Sequence, residues 1–389
     1  MLYRRFGRTE IDMSVFSCGG MRAQQTWQRG ARVSAASQAN VDAVVKRAIA
    51  LGINHFETAR GYGTSEVQFG KALARHPRSA FVLQTKLRPV EKPAEFEAHL
   101  EESFALLGVD TIELLSFHGL NSPSCAEMTL RPGGCWESAE KFRRAGRIRH
   151  IGFSTHAPTR KIIELIESDR FDYVNLHAYY FFQDNLPAIA AARARDMGVF
   201  VISPTDKGGR LYAATDKLRA LTAPLSPMAF NDLWCLTNMD VHTLSLGAAA
   251  PGDFDAHVEA LDLLERAPVL LPPIVARLEA AYAEALGADF ARRWSEGVPE
   301  WTELPGKINV RRILWLHNLV RAYGLIHFAQ ERYISMSADN HWVPGARAVG
   351  FNDAEITAAL PDSPFRAEIP KLLRRAHETL YNPTVKPRP

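Results

Sequence analysis

Cysteine is scarce in this chain. Four residues, Cys18, Cys125, Cys135 and Cys235, are scattered over 389 positions without a CxxC pair. That spacing disfavours a zinc site and fits free thiols in a reducing compartment. An excess of one charge is also lacking, because 46 basic and 43 acidic residues leave a formal charge of only +3, spread along the whole chain. No electrostatic footprint for nucleic acid or an anionic membrane stands out, while small anionic ligands remain open. No apolar run approaches the roughly 20 residues a bilayer needs, and the opening "MLYRRFGRTEIDMSVF" has no apolar stretch of signal-peptide length. The expectation is a cytoplasmic protein without membrane or nucleic-acid partners; its oligomeric state is not indicated. Also missing are low-complexity tracts and, after the early strands, any GxGxxG turn.

What is present is ordinary globular material, 47% hydrophobic and 23% charged, enough for one large domain or one domain with an appendage. Short apolar runs alternate with segments of helical period. The runs "SVFSCGG", "INHFETA", "AFVLQTK", "TIELLSFH", "IRHIGFS", "DYVNLHA", "VFVISP" and "VHTLSLG" read as eight strands. Between and after them, segments such as "QANVDAVVKRAIAL" and "PAEFEAHLEESFALL" carry apolar residues three and four apart, as a helix laid on a sheet requires. Strand and helix repeated eight times predict an α/β fold, a (β/α)8 TIM barrel, with a doubly wound open sheet as the runner-up. The N-terminal "LYRRFGRTEIDMSV" reads as a β-hairpin turning at "GRTE" that caps the barrel bottom. After about residue 268 only helical patterns follow, so residues 1–268 are expected to form the barrel and 269–389 a helical C-terminal region. The final "YNPTVKPRP" has three prolines and little to bury, and is expected to be a loose tail.

Active sites of such barrels gather where the strands end. Strand two ends at Glu57 and runs into "HFETARGYGTSE", where Gly61 and Gly63 flank Tyr62 and push the ring outward. Strand three ends at Lys86 and strand four at His118. Each has an ordinary structural use, as a capping acid, a solvated strand end or a core histidine. On consecutive strands, however, an acid, a phenol, an ammonium and an imidazole would meet at the mouth.

The segments "FETARGYGTSE", "LQTK", "LLSFHG", "GRIRHIGFSTH" and "VISP", in this order over about residues 1–265, resemble the successive signatures of the aldo/keto reductase superfamily. The resemblance implies a barrel that reduces carbonyls with NADP or NAD and no metal. It implies Tyr62 as general acid, Lys86 as the group that lowers its pKa, His118 as the orienting residue and Glu57 as the partner of the lysine. The physics agrees. A phenol near pKa 10 is a poor acid at neutral pH, and a nearby ammonium stabilises its phenolate. His118 adds a hydrogen bond to the carbonyl oxygen as charge develops there. One departure is Glu57, where the family usually has Asp; the extra methylene requires a displaced strand end or a lysine held differently.

Within the superfamily the wording is most similar to a branch whose appendage often carries a 4Fe-4S cluster. A cluster needs grouped thiolates, and no cysteine follows Cys235, so none is expected. By the same resemblance Ser154, Thr155 and Asn175 occupy the places that bond the nicotinamide carboxamide; strand seven adds Ser203 to the cofactor side, and the loop "PTDKGGR" offers Lys207 and the backbone of Gly208 and Gly209 to a pyrophosphate. After strand eight "GAAAPGDFDAH" offers Asp253 and Asp255 in place of a basic residue, which leans toward NAD(H) while leaving NADP(H) open. Trp27, Trp136 and Tyr179 are candidate substrate walls, Tyr180 a further stacking residue and His156 a polar contact. The alternative to an enzyme acting on small carbonyl or alcohol substrates is a nicotinamide-binding regulatory or scaffold protein on the same barrel.

Overall fold

The computed structural model describes residues 1–386, so the last three residues of the expected tail lie outside the described residues. The chain divides into two compact units, residues 1–208 with 228–267, and residues 209–227 with 268–389.

The first unit opens with an antiparallel ribbon of β1 (Tyr3–Arg5) and β2 (Asp12–Ser14), in the register Tyr3 to Ser14 and Arg5 to Asp12. Eight parallel strands follow: β3 (Phe16–Gly19), β4 (His55–Glu57), β5 (Val82–Leu87), β6 (Ile112–Phe117), β7 (Ile148–Ser154), β8 (Tyr173–Leu176), β9 (Gly198–Val201) and β10 (Thr243–Leu246). They close into a barrel in chain order, with β10 pairing back onto β3 through Leu244 to Phe16 and Leu246 to Cys18. This is the expected (β/α)8 barrel, and the open-sheet alternative is excluded.

Alternation along each strand explains the layering. Phe16, Cys18, Phe56, Leu83, Leu115, Phe117 and Phe153 are fully buried on the apolar side of the strands. Paired residues on the other side are largely polar and bond one another, as buried polar groups must. Ser17 Oγ meets His55 Nδ1 at 2.7 Å and Thr243 Oγ1 at 2.6 Å, while Gln84 Nε2 donates to Ser116 Oγ at 2.9 Å and Ser116 lies 3.0 Å from the Tyr173 hydroxyl. Burial, with Lys86 as a smaller cause, pulls the His55 imidazole down to about 3, so this belt is neutral at ordinary pH.

The hairpin plugs the end where the strands begin. Phe6 is fully buried between Tyr173, the first residue of β8, and His242, at ring distances of 5.6 and 5.5 Å. Gly7 has φ of +54°, and a Cβ there would stand 2.5 Å from the Asp196 carbonyl, so only glycine fits this approach. The opposite end, where the strands finish, is left for chemistry.

Among the described residues three helices escape the sequence pattern, Pro123–Leu130, Asp216–Thr222 and Asp353–Ala358, each started by a capping side chain: Ser122, Thr215 and Asn352 in turn. In the second unit the segment "VRRILWLHNLVRAYGLIHFAQERYI", whose apolar spacing reads as one helix, is two, Val310–Tyr323 and Ile326–Ile334, because Gly324 turns left-handed at φ +72°. No described helix is long and apolar enough to cross a membrane.

Candidate active site

Strand register brings the predicted cluster together. Gly19 on β3 lies beside Glu57 on β4, which pairs with Gln84 on β5, and Lys86 pairs with Ser116 on β6. Glu57 and Lys86 are both buried and form an ion pair, and Lys86 Nζ also donates to the Thr58 carbonyl at 2.9 Å. The strand end is in register despite the longer acid. Gly19 makes the room: a Cβ there would lie 3.3 Å from Glu57 Oε2.

The loop after β4 is laid along the end of β5, with Arg60 N donating to the Lys86 carbonyl at 3.0 Å and Tyr62 N to the Ala59 carbonyl at 2.9 Å. His118, just past β6, is held by its amide on the Leu87 carbonyl at 2.7 Å. Tyr62 as a whole residue is of intermediate burial. Its ring meets His118 edge-on at 5.6 Å and Trp27 edge-on at 6.3 Å, with Lys86 Nζ 4.7 Å from its centroid.

The electrostatics differ from the expectation in one respect. Burial pushes the Tyr62 phenol above its ordinary range, and no lowering by Lys86 offsets it. The ammonium lies over the ring and its charge is met by the Glu57 carboxylate, which explains the weak effect. Burial likewise pulls Lys86 below the usual lysine range, against the hold of its carboxylate partner.

The candidate cofactor residues divide into committed and uncommitted groups. Asn175 is fully buried, and neither its amide nitrogen nor its oxygen has a hydrogen-bond partner. Such an orphaned amide is costly unless something else satisfies it. Ser154 Oγ accepts from Gly119 N at 3.1 Å and keeps its own proton to give, whereas Thr155 Oγ1 is already bonded to the Leu120 carbonyl at 2.9 Å and to Ala157 N at 3.0 Å. Thr155 therefore holds the loop. Ser203 adopts φ of +55° and accepts from Lys207 N at 3.0 Å, while a Cβ at Gly208 would stand 2.0 Å from the Pro204 carbonyl, so this turn demands glycine. Gly209 begins the second unit.

Several expectations are corrected. Asp253 Oδ2 accepts from Ala249 N at 2.7 Å and Ala250 N at 3.1 Å and so caps its own turn. Asp255 is paired with Arg47 at 2.6 Å. Trp136 does not join Tyr62, because its indole donates to the Arg170 carbonyl at 3.1 Å and the Arg170 guanidinium covers its ring. Tyr179 is fully buried with its hydroxyl bonded to the Ile202 carbonyl and to His177, and Tyr180 packs on Phe230 and Trp234. Both tyrosines are thus committed to packing within the chain, while Trp27, 55% exposed, stands beside Tyr62.

Sequence reasoning missed two side chains here. His177 Nε2 lies 2.6 Å from His156 Nδ1, making a chain of His156, His177 and Tyr179 across the ends of β7, β8 and β9. Arg22, in "GGMRA" after β3, packs its Cδ 2.8 Å from where a Gly247 Cβ would be, beside the turn after β10. The only local signal was a histidine and an arginine just past strand ends. Among the described residues no group of three or more His, Cys, Asp or Glu is placed to hold a metal ion.

A parallel barrel closed at the bottom and lined at its mouth by Tyr, Lys, His and a carboxylate defines a class, and comparison identifies it. The sequence profile of the Aldo/keto reductase family matches residues 16–238. The chain belongs to the aldo/keto reductase family, a family of NAD(P)-dependent oxidoreductases. L-galactose dehydrogenase of Arabidopsis thaliana is 26% identical over 180 residues, 43% of this chain and 55% of that protein. L-glyceraldehyde 3-phosphate reductase of Escherichia coli K12 is 23% identical over 184 residues, 43% of this chain and 49% of that protein. The aligned part thus spans about half the length of these curated relatives. An aldo-keto reductase of Bacillus halodurans, solved in its holo form, shares the fold with a TM-score of 0.56 at 20% identity, covering 69% of this chain and 96% of that one.

Proposed function

We propose that this protein is an NAD(P)(H)-dependent oxidoreductase that interconverts a carbonyl and an alcohol, with Tyr62 as the general acid and base. The observation that carries the reading is the packing of Tyr62 edge-on to His118 with Lys86 over its ring and Glu57 on Lys86. A bound reduced nicotinamide supplies the hydride. Asn175 would hold its carboxamide, since an amide with two unpartnered buried atoms fits another amide, and Ser154 has a proton left to donate. Lys207 and the Gly208 turn would face its phosphates.

In the reducing direction the substrate carbonyl carbon accepts hydride, and charge builds on its oxygen. His118 donates a hydrogen bond to that oxygen, and Tyr62 transfers its hydroxyl proton to it, leaving a phenolate. Glu57 fixes Lys86 over the ring of this phenolate. A phenol raised by burial still serves, because a nascent alkoxide is a stronger base than a phenolate.

The choice of cofactor is reconsidered on the same ground. The acid that leaned toward NAD(H) caps a turn with one of its oxygens, so that lean weakens and NADP(H) stays open beside NAD(H). The relatives' names place sugar aldehydes first in a substrate panel, beside aromatic aldehydes.

The test is Tyr62→Phe, assayed over that panel with fluorescence titration of NADH and NADPH. Loss of about 10²-fold or more in turnover is expected, with cofactor Kd unchanged. Near-normal reduction would exclude Tyr62 as the acid. Cofactor binding by the wild type with no turnover of any aldehyde would favour the regulatory reading.

A further inference from the structure

The rim beside Tyr62 is built by a segment that the proposed chemistry leaves without a role. Residues 20–34 join β3 to the helix Ala35–Ala50, and they are tied at two places to residues 60–68, the segment that carries Tyr62. At the first tie Thr64 N donates to the Thr26 carbonyl at 3.1 Å, while Gln25 N donates to Thr64 Oγ1 at 3.1 Å and to Gln68 Oε1 at 3.0 Å. Gly63 sits between, at φ +53°, and a Cβ there would be 1.9 Å from the Thr26 carbonyl. The two backbones touch.

The second tie is ionic. Arg29 Nη1 bonds Glu66 Oε2 at 3.0 Å and the Arg60 carbonyl at 3.1 Å, and Arg29 Nε reaches Glu102 at 3.1 Å. Glu102 in turn holds Arg60 at 2.9 Å. Glu66 is 1% exposed, and its other oxygen accepts from the Thr85 hydroxyl at 2.7 Å, one residue before Lys86 on β5. One buried carboxylate therefore joins the strand of Lys86 to the loop of Trp27. Between the ties stands Trp27, half exposed, edge-on to Tyr62 at an interplanar angle of 88°. A half-exposed indole on an untied loop would lose its direction to conformational entropy; here both neighbouring stretches are fastened.

We propose that Arg29 is a positioning residue whose buried ion pair with Glu66 fixes the Trp27 loop as a standing wall beside Tyr62. That wall favours carbonyl compounds that carry an aromatic or similarly broad apolar face over short ones. A ring seated at Tyr62 gains edge or offset contact with the indole, which a two-carbon chain does not reach. The proposal rests on the reading of Tyr62 as the site of carbonyl reduction.

The probes are benzaldehyde and propanal as substrates, NADPH titration, and hydrogen exchange of the backbone amides. In Arg29→Met, exchange over residues 20–34 should quicken by about tenfold, as it does when local opening becomes cheaper. The KM for benzaldehyde should rise roughly fivefold with kcat within about twofold, while the KM for propanal and the Kd for NADPH stay put. Trp27→Ala should give the same substrate pattern, and Arg29→Lys should restore part of it. Because Arg29→Met leaves a buried carboxylate without its cation, the double variant Arg29→Met with Glu66→Gln removes both charges and guards against simple misfolding. Unchanged exchange in the double variant, or equal KM rises for both aldehydes, would overturn the proposal. Should the wild type turn over neither aldehyde, the preference for a broad apolar face is overturned by that result, the reductase reading is decided by the sugar and aromatic panel above, and the exchange measurement still decides whether the Arg29 clasp exists.

Discussion

Tyr62 is a residue whose burial raises its phenol, and the direction of that shift sets its pH dependence. Burial raises the phenol above 10, while Lys86 lies over the ring and is matched by Glu57. Reduction needs the protonated phenol, so kcat/KM for reduction should be level from pH 6 to 9. Oxidation needs the phenolate, whose fraction grows about tenfold per pH unit below the phenol's pKa, so alcohol oxidation should climb throughout that range. The measurement is a pair of pH profiles with one aldehyde and its alcohol. An oxidation rate that levels off near pH 7 would mean that Lys86 lowers the phenol after all, as the sequence reading had it.

Among elements, the terminal hairpin shows most simply how the fold prepares the site, since by plugging one end of the barrel it leaves the other for ligands. Phe6 is fully buried in a cluster with Met13, Leu114, Tyr173 and Phe200. Phe6→Ala should cost about 3–5 kcal/mol, read by urea denaturation, with kcat unchanged because the plug lies at the strand starts. A loss under about 1 kcal/mol would show that the ribbon is ornamental to the barrel. The strands themselves were legible in sequence because parallel buried strands are short apolar runs bounded by turn residues, and the four mouth residues because they sit at consecutive strand ends. What escaped depends on partners distant in sequence. Nothing near Trp136 announces Arg170, nothing in "GAAAPGD" reveals that Asp253 turns back on Ala249 and Ala250, and the burial of Tyr179 follows from Ile202 and His177. The helix Pro123–Leu130 was hidden by its own flanks, since prolines and glycines on both sides make "NSPSCAEMTLRPGG" read as loop.

At the scale of the whole molecule the chain order and the packing order part company, and the last prediction concerns that mismatch. The sequence places one boundary near residue 268, yet residues 209–227, in the middle of the barrel's chain, pack with the C-terminal residues as one unit. Within that unit Leu211, Leu218 and Leu225 are buried, Thr215 Oγ1 donates to the Tyr323 carbonyl at 3.1 Å, Arg277 Nε to the Leu221 carbonyl at 3.1 Å, and Arg210 pairs with Glu331 at 2.7 Å. A chain cut after residue 267 would keep this excursion and lose these partners. Three buried leucines would then be exposed together, with the polar atoms of Thr215, Leu221 and Arg210 left without these partners. The truncated protein should therefore aggregate or bind a hydrophobic dye, whereas replacing residues 209–227 by a short Gly/Ser linker in the same truncation should recover much of the solubility. Size-exclusion chromatography and dye fluorescence on the two truncations make the comparison. If the simple truncation ran as a clean monomer with no dye binding, the excursion would not depend on the C-terminal helices, and the division of the chain into these two units would have to be redrawn.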